Sequence, residues 1–153
     1  MKKLFNFFFS TFLIIIFLPL IILISLIVFI LDFNNPFYVA ERVGKNFKMF
    51  KMIKFRSMII NADKNKVFST KSDDERITII GKYFRKFKLD ELPQLFNILF
   101  GHMSFVGPRP NVLREVANNT KLEKKLLLCK PGITCIASII FSDESEILRN
   151  SLD

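Results

Sequence analysis

Apolar residues fill the start of the chain and then break into short periodic groups. Phe12 to Leu31 is an uncharged run of twenty residues, eighteen of them Phe, Leu, Ile or Val, interrupted only by Pro19 and Ser25. At about 1.5 Å of helical rise per residue, such a run reaches about 30 Å, the thickness of a bilayer's hydrocarbon core. Lys2 and Lys3 precede it, and Arg42, Lys45 and Lys48 follow. No small-residue cleavage site follows Leu31, so a retained segment is expected rather than a removed signal peptide. Cytoplasmic flanks are enriched in Lys and Arg, and here both flanks are basic. Pro19 removes one backbone hydrogen bond inside the run and favours a kink. The pattern leaves a single span open. The flanks and Pro19 favour a bent, re-entrant helix with both ends on the cytoplasmic face. Residues 1–35 are assigned to this membrane-associated segment, and 36–153 to one small domain.

Beyond the run the periodicity changes. Pro36 to Val43 and Phe47 to Phe55 read as two strands, with Gly44-Lys45-Asn46 as a hairpin turn tolerant of positive φ. Residues 61–75 are polar and read as a surface loop. Ile77, Ile80, Phe84 and Phe87 recur at helical spacing among Lys82, Arg85 and Lys86, the pattern of a basic amphipathic helix. Asp90-Glu91-Leu92-Pro93 resembles a helix start, with Asp90 as N-cap and Leu92, Leu95, Phe96 and Leu99 as the apolar face up to Gly101. Thr120 and Glu123 form a capping-box pattern before Leu126, Leu127 and Leu128, and Pro131-Gly132 stops that helix.

Charge sharpens this picture. The net charge is +9, and fourteen Lys and Arg between residues 42 and 88 stand against only Asp63, Asp73, Asp74 and Glu75. A block of this kind suits a polyanion: nucleic acid, an anionic lipid surface or a phosphorylated substrate. The lack of Trp and of aromatic-rich RNA motifs argues against nucleic acid. Cys129 and Cys135 lack the spacing of a zinc or redox site, and His102 is the single histidine, so a nitrogen/sulfur metal site is not expected.

The chemistry centres on Asp90 and Glu91. At a helix N-terminus the dipole favours their ionised forms. An ionised Asp can attack phosphorus to give an acyl phosphate, and one or two carboxylates can share Mg²⁺ with substrate phosphates. Lys54 and Arg56 share one face of a strand. Arg85 lies five residues before Asp90, and Arg109 is held between Pro108 and Pro110. Arginine's planar fork suits bidentate phosphate binding.

Five segments in order carry a family resemblance: Glu41-Arg42-Val43-Gly44, Lys54-Phe55-Arg56-Ser57-Met58, Leu89-Asp90-Glu91-Leu92-Pro93-Gln94-Leu95, Gly107-Pro108-Arg109-Pro110 and Lys130-Pro131-Gly132-Ile133-Thr134. Together they resemble the small monotopic phosphoglycosyl transferases, the bacterial sugar transferases. The resemblance implies a mixed α/β, mostly helical fold: a re-entrant membrane helix, broken at a proline, plus a small interfacial catalytic domain with a β-hairpin and amphipathic helices. It implies transfer of a phospho-sugar from a UDP-sugar to polyprenyl phosphate at the cytoplasmic face of the bacterial inner membrane, with Mg²⁺ as cofactor. By the same resemblance Asp90 is the nucleophile and Glu91 its partner carboxylate. Lys54, Arg56, Arg85, Arg109 and Arg42 are then the phosphate-binding positions, and Asp90 and Glu91 the Mg²⁺ ligands. Lys88, His102 and Cys135 stand where the family commonly has Ser or Thr, Asp and Gly. The family pattern continues for several tens of residues past Asp153. A domain incomplete at its C-terminus is therefore expected, and an inactive membrane-bound scaffold is the second reading.

Overall fold

The computed structural model describes residues 1–60, 62, 74–118 and 120–135. The elements run α1 (Lys2–Asp32), β1 (Phe37–Val43), β2 (Met49–Phe55), α2 (Ile79–Lys86), α3 (Gln94–Leu99), β3 (Ser104–Val106), α4 (Leu113–Asn118), α5 (Lys121–Leu126) and β4 (Gly132–Thr134). This is the expected mixture of helices and small sheets. Most of the 61–75 loop lies outside the described residues.

α1 is helical from Lys2 to Asp32 with Pro19 inside it, so the proline does not end the helix. Its 31 residues span about 46 Å. The helix is two-sided. Leu13, Ile14, Phe17, Leu20, Ile21, Ile24 and Val28 pack inward, whereas Leu4, Phe8, Phe12, Ile15, Ile22, Leu26 and Ile30 are exposed. An apolar face of that length is not stable against water and calls for lipid. The inner face is tied down along the whole helix. Asn6 Nδ2 donates to Ser104 Oγ (3.0 Å) near one end, and Val28 packs with Phe55 and Phe84 near the other.

The hairpin forms in the expected place. β1 and β2 pair antiparallel from Phe37 with Phe55 to Val43 with Met49. The connection differs in detail. Phe47, read as strand, belongs to a 3₁₀ turn over Lys45–Phe47, and the positive φ angles fall on Asn46 (54°) and Phe47 (61°). Gly44 has φ of −106°, ordinary extended backbone.

α2 starts where Thr78 Oγ1 accepts a hydrogen bond from Gly81 N (3.0 Å). Ile77, Ile80 and Phe84 face the core, but Phe87 is 63% exposed. The helix ends at Lys86 and the chain turns before the fourth apolar position comes round.

The predicted helix at Asp90 starts later than expected. Asp90 is not an N-cap: Leu89–Glu91 is a 3₁₀ turn entered through Lys88, whose φ is 55°, and α3 begins only at Gln94. Asn97 on α3 fastens it to the hairpin. Its Oδ1 accepts from Ile53 N (3.0 Å), and its Nδ2 donates to Lys51 O (2.7 Å). Leu95, Ile98 and Met103 then close a core against Phe50 and Met52.

A two-stranded parallel sheet, β3 with β4, completes the fold; it pairs Ser104 with Gly132 and Val106 with Thr134. Gly107 and Gly132 let the two backbones meet. A Cβ on Gly107 would run into the Lys130 carbonyl, and one on Gly132 into the Gly107 amide. Backbone on both sides cannot yield as a side chain tip would. Gly107→Ala is therefore expected to cost at least about 3 kcal/mol, read as a large drop in the thermal midpoint of the detergent-solubilised protein. An unchanged midpoint would contradict this close approach.

Candidate active site

Four elements deliver the charged groups. Lys54 sits near the end of β2, and its Nζ lies 3.0 Å from Glu91 Oε1. Their side chains are 20% and 15% exposed, so the pair is largely withdrawn from water. Glu91 ends the 3₁₀ turn before α3. Arg109 lies on the loop after β3, its Nη2 4.0 Å from the same Glu91 oxygen, with 59% of its side chain exposed. That loop is fixed by Gly107 N donating to Thr134 O (3.0 Å) and Gly132 N donating to Pro108 O (2.9 Å). The residue after Pro110 is tied to the hairpin, where Val43 N donates to Asn111 O (2.9 Å).

A cleft of about 180 Å³ opens above this pair. Arg42, Lys54, Glu91, Gln94 and Arg109 line it, with Glu115 from α4 at its edge. Arg42, Lys54, Arg109 and Glu91 thus share one cleft. Asp90 does not line the cleft; it is 6% exposed and lies beside Glu91 in the turn. Arg85 and Arg56 are also off the cleft wall. Arg85 Nε donates to Ser57 Oγ (3.0 Å) and its charge acts on Asp90. Arg56 is half-buried, with its backbone N donating to Pro36 O (2.8 Å).

The two carboxyls are driven apart. Burial is the largest influence on Asp90 and raises its pKa, with the Glu91 charge adding; Lys54, Arg85 and Lys88 oppose without prevailing. Burial also acts most strongly on Glu91, but Lys54, by charge and hydrogen bond, and Arg109 and Lys88 together hold it below the usual carboxylate value. This corrects the expectation that a helix dipole favours both ionised forms. No helix begins at Asp90, and withdrawal from water governs it. Arg85 is lowered chiefly by burial, against the attraction of Asp90 and Asp74.

Sequence reasoning missed three supporting residues. Gln94 is 2% exposed and lines the cleft. The signal was a polar residue inside an apolar motif, three positions after Glu91. Ser57 holds Arg85, and Asn97 joins α3 to β2. His102 is exposed and stacks on Phe50.

Among the described residues no group of three or more acidic, His or Cys side chains gathers as a metal site. Two adjacent carboxylates suit Mg²⁺, which keeps waters and takes its other ligands from substrate phosphates. Only Oε1 of Glu91 is engaged among the described residues, which leaves Oε2 as a donor.

A family model described as bacterial sugar transferase matches residues 1–152. The chain belongs to the bacterial sugar transferase family. It is 36% identical over 141 residues to the UDP-glucose:undecaprenyl-phosphate glucose-1-phosphate transferase of Klebsiella pneumoniae, covering 90% of this chain and 30% of that protein. It is 41% identical over 119 residues to the undecaprenyl-phosphate galactose phosphotransferase of Salmonella typhimurium strain LT2, covering 67% of this chain and 25% of that protein. It is 37% identical over 131 residues to the exopolysaccharide production protein ExoY of Sinorhizobium fredii, covering 76% of this chain and 58% of that protein. The chain therefore spans less than two thirds of each relative's length. α1 is long and apolar enough to cross a membrane.

Proposed function

We propose that this protein transfers a sugar phosphate from a UDP-sugar to polyprenyl phosphate, through a covalent intermediate on Asp90. The observation that carries this reading is the buried Asp90-Glu91 turn set against a cleft walled by Lys54, Arg109 and Arg42. In the first step an oxygen of the Asp90 carboxylate attacks the phosphorus that bears the sugar. The bond from that phosphorus to the bridging oxygen breaks, and UMP leaves with the electron pair. In the second step an oxygen of the polyprenyl phosphate attacks the same phosphorus. The bond to Asp90 breaks, restoring the carboxylate and giving a polyprenyl diphosphate sugar. One site serves a soluble and a membrane substrate in turn.

The residues divide the work. Lys54, Arg109 and Arg42 neutralise the diphosphate and stabilise the charge that gathers on UMP. Asp90 is poorly hydrated, which leaves its carboxylate less shielded for attack. It lies beside the cleft rather than on its wall, so attack requires its carboxyl to turn towards the bound diphosphate. The amide of Gln94, on the cleft wall, offers a donor and an acceptor to the sugar or the base. Bound Mg²⁺ would be held by Glu91 and Asp90 and would supply further neutralisation of the phosphates. Both ends of α1 touch the catalytic unit, which favours a membrane segment whose ends share one side. We assign that side to the cytoplasmic face of the bacterial inner membrane, where nucleotide sugars are available.

Intact-mass spectrometry of the purified protein after incubation with UDP-sugars and Mg²⁺ tests the reading. The expected result is a mass increase of one phospho-sugar that disappears on adding polyprenyl phosphate. No adduct across a broad sugar panel would leave the membrane-bound scaffold as the better reading.

A further inference from the structure

A second cleft of about 180 Å³ lies away from the carboxylate pair. Lys3, Asn6 and Phe7 of α1, the segment Ile98–Gly101 and Lys130 line it. Lys130 brings its ammonium over Gly101, where a Cβ would stand 3.4 Å from Nζ. Lys3 and Lys45 are close enough to act on it, and among the described residues no acidic side chain does. Among the described residues neither Lys3 nor Lys130 has an ion-pair partner. Burial, then the charges of Lys3 and Lys45, push the Lys130 amine below its usual value. Like charges directed at one partly buried cleft repel each other, and an anion placed between them reverses that cost.

The walls indicate what carries the anion. Phe7, Ile98, Leu99 and Phe100 line the cleft, and Phe100 is 67% exposed. Beside it, Leu4, Phe7 and Phe8 are exposed on the first turns of α1. A free polar anion would gain nothing from that apolar flank. A phosphate on a long hydrocarbon chain would place its charge between the lysines and its chain along the phenylalanines.

We propose that the Lys3–Lys130 cleft is a binding site for the phosphate of a membrane lipid. It lies apart from the cleft of Lys54 and Glu91 and does not depend on the Asp90 chemistry. Two lipids share the required chemistry, a polyprenyl phosphate and an anionic phospholipid of the surrounding bilayer.

The test is native mass spectrometry and titration of the full chain in neutral detergent. Undecaprenyl phosphate, dioleoylphosphatidylglycerol and inorganic phosphate are added separately, with no nucleotide sugar present. Without a donor no transfer occurs, so failure of the Asp90 reading leaves the result interpretable. Wild type is expected to hold a lipid, with Lys130→Gln weakening binding at least about tenfold and Lys130→Arg retaining it. Lys3→Gln, on an exposed helical turn where folding is not at risk, is expected to weaken binding about threefold to fivefold. Loss confined to undecaprenyl phosphate would identify the polyprenyl lipid as the ligand. Loss confined to phosphatidylglycerol would identify the bilayer phospholipid, and equal loss of both a general lipid-phosphate site. Unchanged lipid binding in both glutamine variants would overturn the proposal. So would inorganic phosphate binding as tightly as either lipid, since the chain would then contribute nothing.

Discussion

Replacing Asp90 with Asn is expected to abolish the phospho-sugar adduct and to lower turnover by at least about a thousandfold, while leaving the fold intact. The two halves of that expectation have separate causes. The amide cannot attack phosphorus, so the covalent step is lost. Asp90 is buried and its carboxyl is raised by that burial, so its ionised form is less favourable in the folded state than in the unfolded one. Such a group favours the fold in acid, below its unfolded pKa, and that contribution is lost as pH rises through the raised folded value. A neutral side chain of the same shape removes the loss. Asp90→Asn is thus expected to melt at the same temperature as wild type or higher at pH 7. The pH profile of kcat/KM follows the same group. Activity is expected to fall on acidification with an apparent midpoint above the usual aspartate range, because the nucleophile must be ionised. Wild-type turnover by the Asn variant would remove Asp90 from the reaction. A collapse of its melting point would show that the carboxylate is structural.

The second large effect is expected at Lys54. Lys54→Met leaves Glu91 largely buried, supported only weakly by Arg109, which is 4.0 Å away and mostly exposed, and by the charge of Lys88. An uncompensated buried carboxylate is expected to cost about 3 kcal/mol of stability at neutral pH, and loss of a cation from the cleft about a hundredfold in turnover. In wild type the folded Glu91 pKa lies below its ordinary value. Its contribution to stability is therefore present above the unfolded glutamate pKa and is lost as pH falls through the lowered folded one. In the variant burial acts unopposed by Lys54, so the stability gap between variant and wild type should narrow in acid. The double variant Lys54→Met with Glu91→Gln is expected to regain most of the stability and none of the activity. Denaturation in detergent across pH 3 to 8 reads all three proteins. A gap that does not change with pH would show that Lys54 acts through packing rather than charge.

Several elements were legible because they repeat locally. The apolar run became α1, strand alternation around Gly44–Asn46 became the hairpin, and the spacing of Ile77, Ile80 and Phe84 became α2. The pair β3–β4 was not legible. Its strands are three residues long and pair across nearly thirty residues, so neither carries a period. The displaced start of α3 was hidden for a related reason. Asp-Glu-Leu-Pro fits an N-terminal cap equally well, and only packing of Leu89 and Leu92 into the α1 core selects the 3₁₀ turn. Phe87 was misplaced because periodicity does not report where a short helix stops.

The site divides in the same way. The sequence by itself determined the inventory: a membrane-length apolar helix, a basic domain, adjacent carboxylates and arginines held in rigid loops. These follow from composition and neighbouring positions, which the chain carries without folding. Only the tertiary structure decided which charges meet. It brought Lys54, Glu91, Arg109 and Arg42 to one cleft and kept Arg56 and Arg85 off its wall. It turned an unremarked Gln94 towards the cleft and set Lys3 beside Lys130 from opposite ends of the described chain. It also separated the two carboxyls, because a pKa depends on burial and on charges within a few ångströms, and both are properties of the folded state.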